Sequence, residues 1–323
     1  MDGACGEKAS VRIASIDIGT NTVLLLIADI DERGFILPIH HEQRLPRLGK
    51  DVDRNRRIHI SAFDRISWII TEYKNLARQH RAERIVACAT SAVRDASNRD
   101  EFLSFLESTT GISVQVLSGE DEALWTFRGV VSGFPDIANP SAVLDIGGGS
   151  TEISYSNPNE HNGNLRVNRY SLQAGSVRLT EKFFKHEPPL PAEIESARQY
   201  ILEELSQVHN PGFGNYRLLG VAGTVTTLAC MDQRLEEFDI EKVAGYRMDQ
   251  QRVAAWLTRL SRMGSHEIRS LSNTTDGRAD ILTAGVLILN EIMDLFRFPS
   301  LTVSERGLRY GLALKEWERV MQK

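Results

Sequence analysis

Two stretches of this 323-residue chain echo one another. Ile16-Asp17-Ile18-Gly19-Thr20-Asn21-Thr22 and Leu144-Asp145-Ile146-Gly147-Gly148-Gly149-Ser150-Thr151 each pass from an apolar run through an aspartate into a turn of small and hydroxylated residues. A second apolar run follows each turn, at residues 23–27 and 153–155. Apolar runs flanking a tight turn read as a β-hairpin. The turn exposes backbone N–H groups and hydroxyls, a nest for anionic oxygens. An aspartate at the strand end can hold a divalent cation or a water. Two copies in two halves of one chain predict paired lobes gripping a phosphate compound between them.

The length supports that division, because a chain of this size exceeds the usual single core. The expected partition is a first lobe of residues 1–131 plus 305–323 and a second lobe of residues 132–304. With 41% hydrophobic and 25% charged residues, the composition is that of an ordinary globular protein. A net charge of −5 argues against a specific nucleic-acid binder, which is normally basic. Cys5, Cys88 and Cys230 are far apart and fit no zinc or redox spacing, so reduced thiols and a cytoplasmic setting are expected. The first ten residues are polar, unlike a signal peptide, and no apolar run is long enough for a membrane span.

Periodicity predicts three antiparallel strands within residues 12–45, then a helix capped by Ser61 with Phe63, Ile66, Ile69, Ile70, Tyr73 and Leu76 on its apolar face. A strand at 84–89, a helix at 100–109, a strand at 113–117 and a helix at 120–131 complete the first half. The second half repeats the order: strands at 142–146, 152–156 and 165–172, helices at 177–184 and 191–208, and a strand at 216–222. Helices at 224–231, 248–262 and 278–296, a strand at 300–303 and a final helix at 305–320 follow. Segments 132–140 and 157–164 read as exposed loops. This twice-repeated βββαβα order resembles the duplicated ribonuclease-H-like α/β fold of actin and the acetate and sugar kinases.

Other segments carry chemistry only in combination. In 89–96, Arg94 either forks onto phosphate oxygens or sits on the surface beside Asp95. In Ser118-Gly119-Glu120-Asp121-Glu122-Ala123, the acids either complement a helix dipole or place one carboxylate in the cleft as a general base. Glu120 and Glu122 are two apart, so one of them reaches the cleft. Gly223 and Thr224 form a tight strand-to-helix turn that either offers N–H groups to an anion or merely caps the helix. Residues 44–57 carry Arg44, Arg47, Lys50, Arg54, Arg56 and Arg57, forming either a basic lip or a solvated loop.

Taken together, these blocks resemble the exopolyphosphatase / guanosine pentaphosphate phosphatase family. The resemblance extends to Arg47-Leu48-Gly49 and to Gly175-Ser176-Val177-Arg178-Leu179-Thr180-Glu181. It implies hydrolysis of a terminal phosphoanhydride, of inorganic polyphosphate or of guanosine pentaphosphate (pppGpp). It also implies Glu122 as general base and Arg94 as the phosphate-contacting arginine. Phosphate-binding residues would be Gly19, Thr20, Asn21, Thr22, Gly147, Gly148, Gly149, Ser150, Thr151, Gly223 and Thr224. Mg²⁺ or another divalent cation would lie near Asp145 and Glu152, with Asp17 reaching it through water. A homodimer is a further implication. The chain is similar to the short members, which lack extra C-terminal helical domains. The lobes are expected to close on substrate, with the final helix crossing back to the first lobe.

Overall fold

The computed structural model describes residues 10–134, 140–156 and 166–322. The first half runs β1 (Val11–Ile18), β2 (Val23–Ile30), β3 (Ile36–Arg44), α1 (Val52–Asn55) and α2 (Ile60–Gln79). It continues with β4 (Arg84–Ala89), α3 (Ser91–Arg94), α4 (Arg99–Thr110), β5 (Val114–Val116) and α5 (Gly119–Val131). The second half opens with β6 (Ser141–Ile146), β7 (Thr151–Ser156), β8 (Val167–Leu172), α6 (Ser176–Phe183), α7 (Pro191–Leu205), β9 (Arg217–Val221) and α8 (Ala222–Asp232). It ends with α9 (Ile240–Val243), β10 (Arg247–Asp249), α10 (Gln250–Leu260), α11 (Ser265–Arg269), α12 (Leu282–Leu295), β11 (Ser300–Val303) and α13 (Leu308–Met321).

The first sheet has the order β3-β2-β1-β4-β5, with β1, β2 and β3 antiparallel and β4 and β5 parallel to β1. The second repeats this as β8-β7-β6-β9-β11 and adds β10 antiparallel to β11 at the edge. This is the duplicated ribonuclease-H-like α/β architecture, one copy per lobe. Strand β1 carries apolar residues on both of its faces. Ala14, Ile16 and Ile18 point into a core with Phe63, Ile66 and Ile70 of α2 and Phe102 of α4, whereas Ile13 faces Tyr310, Ala313 and Leu314 of α13. Alternate side chains of a strand take opposite faces, so a sheet covered on both sides draws apolar residues onto both.

The final helix returns as expected and packs on β1 and β2. Helix α5 makes the reciprocal move and packs on β6, β7 and β8, with Phe127 and Val130 against Val143 and Leu219. The two helices then cross each other at glycines. A Cβ on Gly311 would lie 1.8 Å from the Trp125 carbonyl oxygen, and one on Gly129 would lie 2.3 Å from that of Gly307. Only glycine permits so close a backbone approach.

Several boundaries shift for identifiable reasons. Helix α2 is capped by His59, whose Nδ1 accepts from the Ser61 N–H at 3.2 Å, rather than by Ser61 itself. The helix expected from residue 248 begins at Gln250, because Arg247–Asp249 pairs with β11 and the Asp249 carboxylate caps Arg252 N–H at 2.7 Å. The helices expected from 278 and 305 begin at Leu282 and Leu308. Residues 135–139 and 157–164, in the two expected loops, and residue 165, the first of the expected strand 165–172, lie outside the described residues. No helix among the described residues is long and apolar enough to cross a membrane.

Candidate active site

The two hairpin turns are built alike. Ile18 pairs with Val23 and Gly19 N–H donates to the Thr22 carbonyl at 2.9 Å; Ile146 pairs with Thr151 and Gly147 N–H donates to the Ser150 carbonyl at 3.0 Å. They also meet. A Cβ on Gly149 would fall 2.4 Å from Ser91 Oγ and 2.9 Å from Thr20 Oγ1, and one on Gly148 would fall 3.0 Å from Thr20 Cβ. Between the lobes opens a cavity of about 550 Å³, lined by Gly19, Thr20, Asn21, Thr22, Gly147, Gly148, Gly149, Ser150, Gly223 and Thr224. Ala222, with φ 73, makes the sharp entry from β9 to α8 that brings Gly223 and Thr224 to this wall. Thr151 is the exception among the expected phosphate ligands: it is fully buried and donates its hydroxyl to the Ala174 carbonyl.

Four carboxylates gather at the floor. Asp17, Glu122 and Asp145 line the cavity. Glu152 does not; it faces Asp145 across the β6–β7 ladder and its Oε1 accepts from Ser171 Oγ at 2.7 Å. The ladder position matching Glu152 in the first lobe is Leu24, opposite Asp17, so the acid pair belongs to one lobe only. Like charges directly opposite on a sheet repel. Burial and the neighbouring carboxylates push Asp17 up to about 8 and Asp145 up to about 7, and push Glu152 well above its ordinary range. Burial also raises Glu122, against the lowering effect of the Arg94 guanidinium and the Thr90 hydroxyl.

Glu122 sits in the first turn of α5, whose N-cap Ser118 accepts from the Asp121 N–H at 3.1 Å. It is 7% exposed, whereas Glu120 points outward towards Arg169 at 3.8 Å. Arg94 does not pair with Asp95. Its Nη1 donates to Glu122 Oε2 at 2.9 Å and to the Leu117 carbonyl at 3.0 Å, and Arg94 itself does not line the cavity. Buried polar atoms without a partner concentrate here: Asp17 Oδ1, Asn21 Oδ1, Ser91 Oγ and Arg94 Nη2. Orphaned polar atoms are rare in protein interiors, and a cluster of them marks a place for a ligand.

A model of the Ppx/GppA phosphatase family matches residues 26–320. The chain belongs to the Ppx/GppA phosphatase family. Exopolyphosphatase 2 of Mycobacterium tuberculosis is 34% identical, over 95% of this chain and 98% of its own length. Among solved structures, the Aquifex aeolicus family member superposes with a TM-score of 0.80 at 31% identity, covering 96% of this chain and 99% of that one. An exopolyphosphatase from Cytophaga hutchinsonii gives a TM-score of 0.85 at 27% identity, covering 95% and 98%. The protein is accordingly a phosphoanhydride hydrolase.

Two arginines in this Ppx/GppA protein escaped the sequence reading. Arg278, on the second-lobe wall, is half-buried and has no ion-pair partner among the described residues, and a Cβ on Gly223 would strike its Nε at 2.4 Å. Arg309, on the opposite wall, is half-buried near Asp17, and its Nε has no hydrogen-bond partner among the described residues. Part of the segment 44–57 is engaged in ion pairs, while Lys50, Arg54 and Arg56 are exposed. Arg44 pairs with Glu42 and Glu72, and the loop after it clasps the second lobe: Arg47 to Asp280, Asp51 N–H to Glu181 Oε1 at 2.9 Å, and Asp53 to Arg178. Gly49 docks on the first turn, its N–H donating to the Thr20 carbonyl at 2.7 Å.

Proposed function

We propose that the protein is a cytoplasmic exopolyphosphatase that releases orthophosphate from the end of inorganic polyphosphate. The observation that carries this reading is the pair of facing turns with Glu122 in the cavity between them. The terminal phosphate would accept hydrogen bonds from the N–H and hydroxyl groups of Gly19, Thr20, Asn21, Thr22, Gly147, Gly148, Gly149 and Ser150, with Gly223 and Thr224 beside them. Thr151 would support its turn from behind. Arg278 would hold the next phosphate of the chain. Glu122 takes a proton from a water as its oxygen attacks the terminal phosphorus; the P–O–P bond breaks, and the shortened polyphosphate leaves with the bridging oxygen. Arg94 fixes the direction of the Glu122 carboxylate and keeps it ionised against its burial.

A divalent cation fits the acidic floor. The carboxylates Asp17, Glu122, Asp145 and Glu152 gather there, and the buried Asp17 Oδ1 has no hydrogen-bond partner among the described residues. Among the described residues, no three His, Cys, Asp or Glu side chains come together as a ready-made metal cage. Mg²⁺ suits such a site, since it binds through one or two carboxylates, waters and substrate phosphates. Asp145 would hold it, with Glu152 behind and Asp17 through water, and when bound it would neutralise charge on the phosphoryl oxygens.

This yields a stability test independent of turnover. Asp17 and Asp145 titrate near 8 and 7 in the folded protein and near 3.8 when unfolded, so between those values the folded state holds more protons. Without cation, these groups make the fold less stable as pH rises from about 4 to 8. A cation binds the ionised form and offsets that loss. The rise in Tm on adding Mg²⁺ should therefore be larger at pH 8 than at pH 6, and an equal rise at both would remove Asp17 and Asp145 from the site.

A second reading, removal of the 5′-terminal phosphate of pppGpp, draws on other residues of the cavity lining. Phe238, Asn273, Thr274, Glu237 and Asp276 line it, so it offers a flat apolar face, hydrogen-bonding groups and acids more suited to a nucleoside than to a long polyanion. Phosphate release from polyphosphates of several lengths, pppGpp and ATP, with and without Mg²⁺, separates the two. Release from polyphosphate alone supports the first reading, and release from pppGpp alone the second. Arg278→Ala should raise KM about tenfold for the preferred substrate with a smaller effect on kcat, the loss of one charge-assisted hydrogen bond.

A further inference from the structure

Arg178 lies in the first turn of α6 and takes no part in the proposed hydrolysis, yet it is 8% exposed and fully engaged. Its Nε donates to the Gly149 carbonyl at 2.7 Å, its Nη2 to Asp95 Oδ2 at 2.6 Å, and its Nη1 to the Asp53 carboxylate. Gly149 belongs to the second phosphate turn. Asp53, in α1, and Asp95, after α3, belong to the first lobe. Asp95 directly follows Arg94, the partner of Glu122.

We propose that Arg178 is a positioning residue: by joining the Gly149 carbonyl to Asp53 and Asp95, it holds the lobes shut and seats the second phosphate turn against Ser91, Thr20 and the Arg94–Glu122 pair. The guanidinium suits three acceptors lying around one plane, which a lysine ammonium does not reproduce. The clasp has other members, but their energies differ. The Arg47 side chain is 38% exposed in its pair with Asp280, whereas the Arg178 side chain is 10% exposed. Exposed pairs contribute little, so Arg178 makes the better-shielded ion pair of the clasp. Its loss also removes the one cation of the second lobe that Asp53 and Asp95 of the first lobe both bind.

Small-angle X-ray scattering and steady-state kinetics on R178Q, R178K, D53N and R178Q/D53N test this. R178Q should increase the radius of gyration and lower kcat about 10- to 100-fold, the scale of loss when reacting groups shift by about 1 Å. KM should rise by a smaller factor. R178K should recover part of kcat. D53N should open the lobes in the same direction, and the double variant should be no worse than R178Q. D53N alters a partly exposed carboxylate and keeps the test available if R178Q does not fold. A wild-type scattering curve or kcat in R178Q, or losses in R178Q and D53N that multiply, overturns the proposal. Only the kinetic half rests on the assignment of substrate. Lobes that open in a protein releasing phosphate from neither polyphosphate nor pppGpp leave the Arg178 contact standing and remove that assignment instead.

Discussion

Glu122→Gln should lower turnover about 10²- to 10⁴-fold, the range for removing a general base, while the affinity for polyphosphate stays near that of the wild type. The reason lies in what the substitution keeps. The glutamine has the same shape, its amide oxygen still accepts from Arg94 Nη1, and the hairpin turns proposed to bind the phosphate are untouched. It cannot accept a proton from water. Burial holds the Glu122 carboxyl above its ordinary range, so the wild-type enzyme should gain activity with rising pH above the usual carboxylate region. That acidic limb should vanish from the residual activity of the variant. Turnover within fivefold of the wild type, with the limb retained, would assign the base to another carboxylate, and Asp17 or Asp145 would be the next to test.

The hairpin turns were legible in the sequence because their signals are local. An aspartate at a strand end, a glycine turn and a resumed apolar run need no distant partner to be recognised, and the same holds for the Ser118 cap that sets Glu122 in place. Distant pairing was not legible. Arg94 sits beside Asp95, and short range suggests that pair, yet the fold gives Asp95 to Arg178 and Arg94 to Glu122, 28 residues on. Met248 fits a helical period, and only the ladder with β11 makes it a strand residue. Arg278 and Arg309 matter through the wall they reach. The one hint for Arg278 was a charge placed just before the strongly apolar α12, after a glycine with φ 70. The carboxylates show a further limit. Asp145 and Glu152 could be read as near neighbours, but that Glu152 turns away from the cavity to Ser171 follows only from the packing of β8.

Asp145→Asn should produce a protein that is no less stable than the wild type without cation at pH 8, and far less active. Both effects have one cause. At that pH the Asp145 carboxyl, which titrates near 7, is largely ionised beside Glu122 and opposite Glu152, and only a 3.4 Å contact from Thr126 Oγ1 satisfies it. An amide of the same size removes one of the repelling charges. The same change removes the carboxylate proposed to hold a cation at the cavity wall. A bound cation supplies several kcal/mol to a transition state of this kind, so turnover should fall roughly 10²- to 10³-fold. The Tm gain with Mg²⁺ should disappear from D145N and persist in E122Q, separating a residue that holds the cation from one that handles the proton. If D145N keeps the full Mg²⁺ effect on Tm, the cation is held elsewhere on the acidic floor. If it unfolds below the wild type at pH 8 without cation, the repulsion between these carboxylates is not what raises their titration. A pair of acids placed to repel each other makes sense in a folded protein only when its function brings positive charge between them, and the loss of stability without cation is the measure of that placement.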